Sequence, residues 1–152
     1  TLLVAPTSSQ AGTVQVVARS VETAMHKLFE LGFDLSSVES GFGTAPLPPV
    51  AADDLSGIGR TNDAILYGGQ VTLWVRSADH ELKQLVEGIP SCASTDFGAP
   101  FAEIFAKHKN DFYAIDPLLF SPAVVTLHNL ETGNSFRSGR TRADVLQRSF
   151  GR

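Results

Sequence analysis

Cysteine is nearly missing from this 152-residue chain: Cys92 stands alone, so neither an internal disulfide nor a cysteine metal cluster can form. An ordinary reducing compartment, the cytoplasm, is the expectation. No apolar stretch is long enough to cross a bilayer, and no basic-then-apolar stretch reads as a leader, so no membrane partner is expected. Positive charge is scarce too. The 12 Lys and Arg are outnumbered by 16 Asp and Glu, whereas a nucleic-acid surface needs clustered cations; no nucleic-acid partner is expected. Internal repeats and low-complexity linkers are also lacking. What the chain does have is 43% apolar residues, enough to bury a core in one domain or two small lobes.

Punctuation and periodicity divide the chain. "TLLVAP" opens on an uncapped apolar run that reads as a short strand over Leu2 to Ala5, the start expected of a fragment or a processed product. From Val14 the apolar residues Val17, Val21, Met25, Leu28 and Leu31 repeat at the spacing of one helix face, with Arg19, Glu22, Lys27 and Glu30 off the stripe and Gly32 as C-cap. A short strand is expected at Val38 to Ser40. The prolines at 46, 48 and 49 then keep the chain extended. Asp53 caps a helical turn ending near Gly57. Ala64 to Tyr67 and Gln70 to Arg76 read as strand, bulged at Gly68-Gly69, with Val71, Leu73 and Val75 marking the apolar face. Asp79 caps a short helix, Pro100 opens another through Lys107, and "NDFYAIDPLLFSP" reads as an irregular buried segment. Ala123 to Asn129 and Ser135 to Arg137 form a hairpin around "LETGNSF", and Thr141 caps a last helix through Arg148. Strands and helices without strict alternation predict an α+β fold or a mixed α/β sheet flanked by helices.

Most polar clusters have plain structural readings. "GFGTAP" lacks the helix that a phosphate loop needs, because prolines follow it at once. His26, His80, His108 and His128 pair at no metal spacing, and Cys92 lacks a local base, so no metal site is expected. "SCASTDFGAPF" is a polar loop whose side chains either cap its own backbone or cup a polar ligand edge. "GRTNDAILYGG" is the sharpest signal. It is either a turn, with Asn62 and Asp63 bonding local backbone, or a strand mouth where Arg60 faces Asp63, lowers its pKa and orients it toward a water beside a cationic substrate.

Three long stretches carry a resemblance: "ARSVETAMHKLFELGFDLSSV", "GIGRTNDAILYGGQVTLWVR" and "IPSCASTDFGAPFAEIFAKHKNDFYAIDPLLFSPAVVTLHNLETGNSFRSG". Together they resemble methenyltetrahydromethanopterin cyclohydrolase over nearly the whole chain. Residues 1–152 look like its carboxyl-terminal portion, with the amino-terminal half absent or carried on a separate chain. The resemblance implies reversible hydrolysis of a methenyl-tetrahydromethanopterin, or a related pterin, to the formyl compound, as in the one-carbon metabolism of methylotrophs. It implies no metal and no cofactor beyond the pterin carrier, a homotrimer of complete two-lobed subunits, and a pterin cleft between the lobes. The family's Arg-x-x-acid pair, whose acid is Glu in some members, is carried over onto Arg60 and Asp63, with Asp63 as the base. Position places Thr61, Asn62, Tyr67, Gly68, Gly69, Ser94, Asp96 and Phe97 as substrate-binding residues. The alternative is a non-catalytic pterin-binding or assembly module.

Overall fold

The computed structural model describes residues 1–151. Helices α1 (Gln10–Val17) and α2 (Ser20–Glu30) precede β1 (Val38–Thr44), α3 (Asp54–Gly68), β2 (Gln70–Val75) and α4 (Asp79–Gly88); α5 (Phe101–Lys107), β3 (Val124–Asn129), β4 (Ser135–Gly139) and α6 (Ala143–Phe150) complete the chain. The strands form one sheet in the order β1-β2-β3-β4. Its two outer pairs are antiparallel, and β2 runs parallel to β3 with Leu73 opposite Leu127. A mixed sheet with helices is the expected α+β class.

The alternation read in β2 is obeyed: Val71, Leu73 and Val75 are buried and join Val125 and Leu127 in one core. Ala24 and Leu28 of α2 and Leu82 and Val86 of α4 pack onto it. A second core, at the end of the sheet, gathers Leu66 and Tyr67 of α3, Phe101 and Ile104 of α5, Val145 of α6, and Ile115 and Leu119 of the segment before β3.

Several expectations need correction. Leu2, Leu3 and Val4 are exposed and belong to no strand, since they find no neighbour to pair with. The single helix expected from Val14 to Leu31 is two. Arg19 N–H bonds back to Val16 O, tightening the turn between them. Gly32 does end α2, with φ +78°. Helix α4 begins at Asp79 but is preceded by Ala78, and α6 by Arg142 rather than Thr141.

The largest correction lies at α3. Asp53 caps it as expected, accepting Ser56 N–H at 2.8 Å, but the helix does not stop at Gly57. It runs on to Gly68, through the turn or strand mouth expected at Arg60 to Asp63 and the strand expected at Ala64 to Tyr67. Each interior Gly costs a helix about 1 kcal/mol relative to Ala, so Gly57 and Gly59 read as breakers. Packing overrides that cost: a Cβ at Gly57 would meet the Thr7 backbone at 3.2 Å. The far end of α3 is tied down on all sides. Ile65 O accepts from Gly69 and Ala123, Tyr67 O accepts from Arg142, and Leu66 O accepts from the buried Ser91 hydroxyl. These bonds satisfy carbonyls that a helix end leaves orphaned.

Candidate active site

Three elements converge on a cleft of about 490 Å³. Arg19 and, from α2, Glu22 and His26 line one side, α3 contributes the half-buried Asn62, and residues 112–120 close the far side with Phe112 and Tyr113. The volume falls in the range of small-molecule sites, and an apolar wall with few convergent polar groups is the usual character of such a site.

The far wall is a strap of two short turns, Phe112–Ala114 and Pro117–Leu119. Phe112 and Phe120 stack at 4.9 Å, while Tyr113 is 97% exposed at the rim. Buried Lys27 of α2 donates to Leu118 O and fastens the strap to that helix. Burial lowers the Lys27 pKa, and Asp116 partly opposes the shift. Asp116 in turn accepts the Ser94 hydroxyl at 2.6 Å, and its own N–H donates to Asp96 at 3.1 Å.

The polar mouth of the cleft is a forked ion pair. Arg19 Nε and Nη2 donate to the two oxygens of Glu22 at 2.5 and 2.9 Å. Both side chains are more than half exposed, and a pair of this kind stabilises a helix by only about 0.3–0.5 kcal/mol. Stability therefore gives the fold little reason to hold it. Its electrostatic effect is clear, however. The hydrogen bond from Arg19 holds Glu22 below the usual carboxylate range, with a smaller contribution from the positive charge His26 can carry. Glu22 also sits in the first turn of α2, where the helix dipole favours negative charge. The result is an ionised, oriented carboxylate at the edge of an apolar cleft.

The residues singled out from sequence fall elsewhere, with one exception. Asn62 lines the cleft and donates its amide to Ile58 O at 2.9 Å. Arg60 does not face Asp63: its guanidinium donates to the carbonyls of Pro49 and Val50. Thr61 is buried and bonds back to Gly57 O. Tyr67 is buried, donates to Ala99 O at 2.5 Å and accepts Gly98 N–H at 3.1 Å. Phe97 packs against Tyr67 with ring centroids 5.1 Å apart, beneath the Arg142 guanidinium. Gly68 admits close approach, but of Pro46, whose ring would lie 2.6 Å from an added Cβ; at Gly69 the crowding atom is Ile65 O, also at 2.6 Å. Ser94 and Asp96 secure the strap and line no part of the cleft. Asp96 also accepts from Lys107 at 3.2 Å and lies 3.3 Å from the His108 ring.

Asp63 departs furthest from expectation. It is buried on the inner face of α3, where Oδ1 accepts Phe101 N–H at 2.8 Å at the start of α5 and Oδ2 finds no hydrogen-bond partner among the described residues. Its pKa is pushed up to about 7, not lowered. Desolvation is the main cause; the nearby Ser149 hydroxyl and the Phe101 N–H oppose it, and the Glu103 charge adds to it. Arg60 spends its donors on carbonyls and does not hold Asp63 ionised.

Sequence reasoning passed over Arg19 and Glu22 because they read as the solvated face of an amphipathic helix. The signal was present: Arg19-x-x-Glu22 is itself an Arg-x-x-acid pair with Glu at the acid position.

Comparison with known proteins identifies the family. The Cyclohydrolase (MCH) family matches residues 1–150. The methenyltetrahydromethanopterin cyclohydrolase of Rhodopirellula baltica is 55% identical over 99% of the chain, and that of Methylobacterium nodulans is 53% identical over 99%. An archaeal relative of the same name, from Methanocella arvoryzae, is 47% identical over 98%. The chain spans 46% of each of these three proteins, about half the length of the curated relatives it matches. With a family match over nearly every residue and identities near one half across bacteria and an archaeon, the chain belongs to the MCH cyclohydrolase family.

Proposed function

We propose that the protein containing this chain hydrolyses the methenyl bridge of methenyl-tetrahydromethanopterin, or a related pterin, to the formyl compound, and that the reaction occurs at the Arg19–Glu22 cleft. The observation that carries this reading is the forked ion pair at the mouth of the cleft. The names of the relatives support an enzyme rather than a binding or assembly module.

The bridging carbon of the substrate is an amidinium carbon, already electrophilic and positively charged. The difficult part is placing a water over it and accepting a proton as the C–O bond forms. Glu22 is the base, and its negative charge also attracts the cation. Arg19 keeps Glu22 ionised and fixes its direction through two parallel hydrogen bonds. Asn62 presents an amide to the flat polar edge of the heterocycle, and the Phe112 side of the strap covers an apolar face of the ring. Asp63, Ser94 and Asp96 act at a distance, holding α5 and the strap in place. A cytoplasmic homotrimer serving one-carbon metabolism in a methylotroph, with no metal or added cofactor, completes the proposal.

The test is the decay of the methenyl chromophore in the complete protein. Glu22→Gln keeps the side chain's size but cannot accept the proton, so turnover is expected to fall by roughly two to four orders of magnitude, with substrate affinity changed far less. Arg19→Lys keeps the charge and loses the fork, a milder defect. Near-normal hydrolysis by Glu22→Gln would remove Glu22 as the base.

A further inference from the structure

The cleft supplies a base but has to release a proton on every turnover. In the hydrolysis, the water oxygen bonds to the bridging carbon and the C–N bond breaks with its electron pair going to nitrogen. That nitrogen keeps one of the water's two protons. The other leaves as the formyl C=O forms. Glu22 is a poor store for it, because Arg19 favours the ionised form.

Helix α2 offers an exit. Glu22, His26 and Glu30 stand four residues apart, so their side chains follow one another along one face. Glu22 and His26 both line the cleft. His26 Nε2 lies 3.9 Å from Glu30 Oε1, and these two side chains are 55% and 38% exposed. The row thus runs from the cleft to bulk water. The charged groups facing His26 on its own helix are Arg19, Glu22 and Glu30, and Tyr113 is the titratable group on the strap across the cleft. Lys27, the next residue along α2, is buried and bonds Leu118 O of the strap, with Asp116 acting on its charge. Imidazole is the side chain suited to carry a proton near neutrality.

We propose that Glu22, His26 and Glu30 form a proton-exit row along α2, in which His26 takes the proton from the Glu22 carboxyl and passes it to water beside Glu30. This rests on Glu22 being the base. His26 acts through Glu22 and does not touch the reacting carbon, so it is a positioning and relay residue.

The experiment follows hydrolysis of methenyl-tetrahydromethanopterin by the complete protein carrying His26→Ala or His26→Gln, in dilute buffer and with added imidazole. In dilute buffer kcat is expected to fall roughly 10- to 100-fold with KM within about twofold. Added imidazole restores the rate of His26→Ala and leaves the parent unchanged. Parental rates for both variants in dilute buffer would overturn the proposal, as would a loss that imidazole does not restore. Glu22→Gln separates the two readings. If it is inactive with imidazole present while His26→Ala is fast without it, only the relay falls; if Glu22→Gln is active, base and relay fall together.

Discussion

Replacing Asp63 with asparagine isolates the cost of burying a carboxyl beneath α5. The unfolded chain releases this proton near 3.8, whereas the folded protein holds it to about 7. Below about pH 4 both states are protonated and the raised pKa costs nothing. Between about pH 4 and 7 the unfolded chain binds fewer protons, so stability falls as pH rises. Above about 7 both states are ionised and the loss is complete. The interval from 3.8 to about 7, at about 1.4 kcal/mol per pH unit, gives a ceiling of roughly 4 kcal/mol. At pH 5, where only the first 1.2 pH units above 3.8 have been crossed, the penalty is about 1.6 kcal/mol. The substituted amide would be neutral throughout. Its oxygen keeps the bond from Phe101 N–H, and its NH2 group replaces the unpaired Oδ2. Asp63→Asn is therefore expected to stabilise the complete protein, and more at pH 8 than at pH 5. At about 2–4 °C per kcal/mol, the gap in Tm should widen by several degrees across that range. Turnover should stay within a few-fold of the parent. The assay is a pair of thermal melts at each pH, with chromophore decay measured in parallel. A Tm gap independent of pH, or a variant less stable at pH 8, would refute the assignment of a buried, reluctantly ionised carboxyl. Loss of turnover in a stable variant would restore Asp63 as a candidate base.

Further outcomes follow from the same contacts. Gly68→Ala sets a methyl 2.6 Å from the Pro46 ring and is expected to cost roughly 1–3 kcal/mol, read as a lowered Tm. Tyr67→Phe removes the donor to Ala99 O and the acceptor for Gly98 N–H; leaving buried partners unpaired should cost about 1–3 kcal/mol in a denaturant titration, with KM little changed. Prolonged chelation should leave turnover of the complete protein intact, and recovery of a lost rate by zinc would refute the metal-free mechanism.

Much of the sheet was legible because its cause is local. Val71, Leu73 and Val75 alternate, and alternation decides which face of β2 is buried whatever the partner strand. Pro100 and Gly32 mark helix ends through their own backbone restrictions. The "AILYGG" stretch failed for the complementary reason. Four apolar residues before two glycines carry no period of their own, and a short apolar run fits a strand or a buried helix equally well. Contacts distant in sequence decided it: Thr7 against Gly57, Pro46 against Gly68, Phe101 N–H on Asp63, and Ala123 and Arg142 on the last carbonyls of α3.

The sequence by itself determined the composition of the core, the strands β2 and β3, the capping of α3 by Asp53, and the family resemblance. It also contained three Arg-x-x-acid pairs, Arg19 with Glu22, Arg60 with Asp63 and Arg76 with Asp79, equivalent on paper. Only the tertiary structure separates them. Burial of Asp63 against α5 raises its pKa to about 7, and Arg60 turns away to the Pro49 and Val50 carbonyls. A strap nearly a hundred residues further along the chain, fastened by Lys27, turns the exposed pair of Arg19 and Glu22 into the mouth of a cleft. The pKa of a carboxyl depends on how much water its neighbours exclude and which donors reach it, and both are set by residues that sequence spacing does not bring together.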